Sequence, residues 1–188
     1  MSGTSFPKAK YDLSQKLIHV LYEMKMYLYC RTEVNNNDDS LLKNAFIETT
    51  FLHARNLFYF FKSNQLKRKD DDMYCQDYGY SPIAGLIKDT TSVGKEIEKV
   101  HKRIMHLTAD RVDNVNWQAS AIQPIDRFIL PLIEGFLWHI KESRNFALHD
   151  RDLIDINELL KLLGKNKSTI CGMTNTSSDS VAITATLN

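Results

Sequence analysis

A chain of 188 residues with 43% hydrophobic and 10% aromatic side chains can bury one ordinary core, and a net charge of +1 excludes a global basic field for unselective nucleic-acid binding. Seven Gly and four Pro are too few for the many turns of an all-β fold, so long helices are expected. No apolar run approaches the ~18 residues of a membrane span, and the opening MSGTSFPKAK lacks the apolar centre of a secretory signal. Cys30, Cys75 and Cys171 are far apart and odd in number, which predicts free thiols in a reducing cytoplasm and no structural zinc.

The first predicted helix runs from about Tyr11 to Glu33. Leu13, Leu17, Leu21, Met24 and Leu28 recur at spacings of 4, 4, 3 and 4, the signature of one apolar helical face. The polar stretch Val34–Asp39 follows, and Asp39 or Ser40 can cap the next helix by accepting from its free N–H groups.

The second helix is expected over about Leu41–Ser63, with Leu41, Ala45, Leu52 and Tyr59 in one narrow arc taken as core-facing. Glu48 and Arg55 lie in the middle of that arc and Asn56 at its edge. An acid and an arginine set into an apolar stripe form either a buried or half-buried salt bridge to neighbouring helices or, with Asn56, part of a substrate-binding site. His53, beside Leu57 and Phe60, reads as a core or rim histidine. Lys67–Tyr80 breaks the periodicity and reads as a charged surface loop; consecutive Asp70, Asp71 and Asp72 do not have the spacing to converge on one metal ion.

A third helix is predicted over Glu96–Arg111. Ile97, Val100, Ile104 and Leu107 form its core side, while Lys99, Arg103 and His106 share a different ridge. That ridge is either a solvated basic face or a site combining two cations with an acid–base group. After a connector anchored by Trp117, Pro124 opens the most apolar helix in the chain, with Pro131 expected to kink it. Its arc of Ile125, Phe128, Ile129, Leu132, Ile133, Phe136, Leu137 and Ile140 is wide enough to predict that part of it packs on a second subunit. Asp155 and Glu158 then read as a capping box for a short helix ending at Gly164. The expected architecture is an all-α antiparallel four-helix bundle with a kinked last long helix and short accessory helices. It forms a single domain over residues 1–164, followed by a flexible Ser/Thr-rich tail over 165–188.

The glycine-rich phosphate loops, the serine-nucleophile elbow and the His-Glu-x-x-His zinc motif are all missing, as are the Glu-x-x-His pairs of a di-iron bundle. What remains is Arg, Lys and His on helices, with no cofactor implied. The runs IETTFLHARNLFYFF and EKVHKRIMHLTADR, followed by Trp117, resemble a bacterial branch of the HEPN superfamily (higher eukaryotes and prokaryotes nucleotide-binding) over about Leu41–Trp117.

That resemblance implies a helical homodimer, metal-independent RNA cleavage or RNA or nucleotide binding of the toxin or defence type, and an antitoxin protein as partner. The family's signature pairs an Arg with a following His. Its His falls on His106, while Lys99 stands where the family has Arg, with Arg103 between. Lysine offers a point charge instead of a planar fork, so the exchange is not conservative. A second string with this pattern is Arg144–His149, whose ends converge only if the helix breaks between them, which the Asp150–Asp155 stretch makes possible. The resemblance implies that the imidazole moves the 2′-hydroxyl proton while the cations stabilise the transition state, leaving a 2′,3′-cyclic phosphate. The alternative is a non-catalytic helical homodimer binding a partner protein, with Lys99 marking a decayed site. Whether the chain is an enzyme stays open at this point.

Overall fold

The computed structural model describes residues 10–62, 73–82, 93–95, 97, 122–143 and 148–176. These form four long helices and one 3-10 turn, with no strand among the described residues: α1 (Lys10–Asn36), α2 (Ser40–Phe61), the turn Cys75–Tyr78, α3 (Gln123–Glu142) and α4 (Asp150–Thr176); residues 93–95 and 97 are helical as well. The all-α expectation therefore holds.

Helix α1 buries Leu17, Val20, Leu21, Met24, Tyr27, Leu28, Arg31 and Val34, a run of steps of one and three residues that keeps one face inward. The side chain of Asp39 caps α2, accepting from the N–H groups of Leu41 (2.8 Å) and Leu42 (3.0 Å), so Asp39 and not Ser40 is the cap.

Helix α2 turns the opposite way from the sequence reading. Its core face is Ile47, Thr50, Phe51, Ala54, Leu57, Phe58 and Phe61. The arc predicted to be buried lies outward: Leu41, Leu52 and Tyr59 are 77%, 39% and 44% exposed. Both arcs are apolar, and the one with more aromatic surface wins the core because burial energy scales with area removed from water. Glu48 and Arg55 are consequently half-buried groups on the outer side, not charges set into the core.

The expected charged loop Lys67–Tyr80 ends in structure. Cys75–Tyr78 is a 3-10 turn closed by Gly79 at φ 71°, a left-handed conformation that only glycine adopts without steric cost. The backbone N–H of Tyr74 donates to Asp77 (3.0 Å), and the turn drives Tyr78 into the core edge-on to Phe136, with centroids 5.7 Å apart. Asp70–Asp72 lie outside the described residues, and no group of three metal-ligating side chains occurs among those described.

Helix α3 contains Pro131 without ending there. All eight residues of its wide apolar arc are buried within the chain, under α2, α4 and the 3-10 turn. No surplus on that arc is left for a second subunit to cover, contrary to the expectation from its width.

Helix α3 is also not the last long helix. Helix α4 begins at Asp150, where the N–H of His149 donates to Asp152 (3.0 Å) and the N–H of Leu153 donates to the His149 carbonyl (3.2 Å). The cap is thus His149 with Asp152, six residues before the expected Asp155–Glu158 box. Gly164 does not stop the helix, which runs on to Thr176. Asn166, beyond that expected end, is buried and donates to Leu28 O (3.3 Å) and Thr32 Oγ1 (3.2 Å) on α1.

Contacts place the helices in a ring, α1 against α2, α2 against α3, α3 against α4 and α4 against α1. Helices α1 and α2 are antiparallel, since Tyr29 meets Phe46 while Tyr22 meets His53, whereas α2 and α3 run parallel, since Phe58 meets Phe128 while Phe61 meets Phe136. Helices α1 and α4 run parallel, because Lys25 reaches Glu158 while Leu28 and Thr32 reach Asn166. Across the ring, Asp126 of α3 accepts from Tyr27 Oη (2.5 Å) and Arg31 Nε (2.7 Å) of α1.

Candidate functional site

A cavity of about 570 Å³ opens along the seam between α1 and α2. Small-ligand sites typically occupy about 300–1,000 Å³. Its polar lining comes from His19 and Glu23 on α1, Arg55, Asn56 and Tyr59 on α2, and Tyr74 just before the 3-10 turn.

Antiparallel packing sets this lining. Residues three apart on a helix share a ridge, so His53 and Asn56 both face Glu23 across the seam. Glu23 Oε2 accepts from His53 Nδ1 (2.7 Å) and Asn56 Nδ2 (3.0 Å), while Oε1 takes no hydrogen bond among the described residues. The His53 ring is buried, and Tyr22 packs edge-on against it at 6.0 Å. Burial alone would raise the Glu23 carboxyl pKa, but the bonds from His53 and Asn56 and the attraction of the imidazole outweigh it and hold the pKa below the ordinary value. Glu23 is therefore a positioned carboxylate at neutral pH.

The cation of the site is Arg55. Its guanidinium lies 5.5 Å from the centroid of Tyr59, one turn along the same helix, and makes no hydrogen bond among the described residues. An arginine with its donors unspent, next to an aromatic face, can bind an anion and leave the ring for stacking. The cavity thus combines an acceptor, a cation, an amide and aromatic surface.

Arg55 and Asn56, named from sequence as substrate-binding, line this cavity; Glu48, named with them, does not. Lys99, Arg103, His106, Trp117 and Arg144 lie outside the described residues. His149 is exposed and serves α4 through its backbone. Arg144 and His149 need a helical break in order to converge, and α3 ends at Glu142 while α4 starts at Asp150, with the Asp150–Asp155 stretch itself helical.

Sequence reasoning missed Glu23 altogether, because one carboxylate beside an apolar stripe is an ordinary flanking residue until its partners are known. Neither described thiol suits nucleophilic work. Cys30 and Cys75 are free and buried, and burial pushes the Cys75 thiol up to about 12.

Comparison with family models, with curated proteins and with solved structures found no match for this chain. No described helix is long and apolar enough to cross a membrane.

Proposed function

We propose that this chain is a HEPN-like helical module that binds RNA or a nucleotide in the cytoplasm. Its binding site is the cavity between α1 and α2. The observation that carries the reading is the pairing of the unspent Arg55 guanidinium with the Tyr59 ring beside Asn56 in the lining of that cavity. Single-stranded nucleic acids and nucleotides need both features, a cation for phosphate and a flat apolar face for the base. The near-zero net charge fits a local site in place of a basic surface.

Cleavage is the further step of the same reading. It would use His106 as the acid–base group with Lys99 and Arg103 as cations, in a homodimer held in check by an antitoxin protein. Fluorescence anisotropy with labelled single-stranded RNA and with nucleoside monophosphates tests binding. Arg55→Ala should weaken every such ligand about tenfold or more, since hydrogen bonds to charged groups are the strong ones. Unchanged affinity in Arg55→Ala would remove the cavity from the reading. An RNA-cleavage assay on His106→Ala tests catalysis, where loss of a positioned acid–base group lowers the rate roughly 100- to 10,000-fold.

A second reading is favoured by the outward stripe of Leu41, Leu52 and Tyr59 on α2. Exposed apolar residues in line on one helix face are what a helical docking module presents to a partner protein. Co-purification of a partner with the native chain, lost in Leu52→Glu, would support it.

A further inference from the structure

We infer that the α1–α2 cavity selects guanine, with Glu23 reading the Watson–Crick edge of the base. This rests on the nucleotide-binding reading above and names the base that the site prefers.

The selection comes from the acceptor positions that Glu23 leaves open. An ionised carboxylate has about four acceptor positions, two on each oxygen. In Glu23, His53 and Asn56 occupy two of them, both on Oε2. These bonds fix the carboxylate from the α2 side and leave Oε1 with its full capacity. The Glu23 side chain lines the cavity and is 28% exposed, so an occupant can approach it.

A fixed acceptor with room for two donors is complementary to two adjacent N–H groups. Of the four neutral RNA bases, only guanine presents such a pair on its Watson–Crick edge, the ring N1–H and the exocyclic 2-amino group. Adenine and cytosine set one amino donor beside a ring acceptor, and uracil sets one ring N–H between two carbonyls. Each of these would bring an acceptor lone pair towards the carboxylate, which is repulsive.

The other lining groups fit the remainder of a guanine nucleotide. Tyr59 contributes aromatic surface for the purine, and Arg55 and His19 contribute donors for a phosphate. Among the described residues, Glu23 is the one carboxylate that lines the cavity.

The test uses the full-length protein and calorimetric titration with GMP, IMP, AMP, CMP and UMP. GMP should bind tightest. IMP, which keeps N1–H and lacks the 2-amino group, should bind about tenfold more weakly, and the other three more weakly still. Glu23→Gln should abolish the GMP preference, whereas Arg55→Ala should weaken all five ligands alike. Because Glu23→Gln also disturbs the His53 contact and could unfold the protein, the GMP–IMP comparison on the unaltered chain is the deciding one. Equal affinity for GMP, IMP and AMP would overturn guanine selection while leaving nucleotide binding intact. Failure of every nucleotide to bind would overturn both.

A parallel titration compares oligoadenylate with the same oligomer carrying one central guanine. Preference for the guanine-containing strand identifies RNA as the source of the base. GMP preference without strand preference identifies the free nucleotide.

Discussion

Arg31 Nε lies 2.7 Å from Asp126 Oδ2 at the centre of the helical ring, with the two side chains 2% and 0% exposed. Tyr27 closes the other carboxylate oxygen, and Arg31 Nη1 is buried with no hydrogen-bond partner among the described residues. Burial pushes the Asp126 carboxyl up, against the opposing pull of Arg31 and the two hydrogen bonds. Such a pair adds little net stability over a well-packed apolar replacement, yet removing one member leaves a buried charge without compensation.

Asp126→Ala should therefore destabilise the fold by about 3–5 kcal/mol, read from urea denaturation. The double replacement Arg31→Met with Asp126→Leu should recover most of that loss. If the double variant is no better than Asp126→Ala, the cost lies in packing and not in the orphaned charge.

The Glu23 carboxyl gives the acid limb of stability a definite sign. Its folded pKa lies below the ordinary 4.5, so the unfolded chain takes up the proton first as pH falls. Its contribution is fully present above that ordinary value and is lost as pH drops through the lower folded one. In Glu23→Gln this component should be missing, making the fall in melting temperature between about pH 5 and pH 3 shallower than in the unaltered protein. An identical acid limb in both proteins would show that Glu23 is not held by His53 and Asn56.

The two arcs of α2 make a paired prediction. Leu57→Ala, on the buried arc, should cost about 2–5 kcal/mol. Leu52→Glu, on the outward arc, should stay within about 0.5 kcal/mol in thermal or urea unfolding. Equal, large losses would mean that another segment or chain covers the outward stripe.

Asp39 accepts from two N–H groups at the start of α2. Asp39→Ala should lower stability by about 1 kcal/mol, while Asp39→Asn should cost only a fraction of that, since Asn keeps an acceptor oxygen. Circular dichroism melts of the two variants distinguish capping from a general charge effect.

Periodicity alone determined that this chain is helical, because an apolar recurrence of three and four residues has no other economical burial. The face of α1 and the buried arc of α3 follow from the same rule: Leu17, Leu21, Met24 and Leu28 are inside, as are all eight residues expected on α3. Arg31 and Asp126 fall within those very arcs and could have been noticed as charges bound to meet in the core.

Helix α2 shows where the rule fails. It carries apolar residues on two opposite sides, and amphipathicity cannot choose between them; the choice needed α1 and α3 to be present, so that Phe51, Phe58 and Phe61 could find a core to fill. The end of α4 was hidden for a similar reason. Gly164 and the polar residues after it are poor helix formers locally, and Asn166 becomes favourable only through the carbonyl of Leu28 and the hydroxyl of Thr32.

The site belongs to the same class of information. Arg55 and Asn56 stand out as polar residues beside an apolar arc, but Glu23 lies 30 residues from His53 along the chain. Only the antiparallel crossing of α1 and α2 makes one fixed carboxylate out of three separate side chains, because hydrogen bonds act over about 3 Å and sequence carries no such distance.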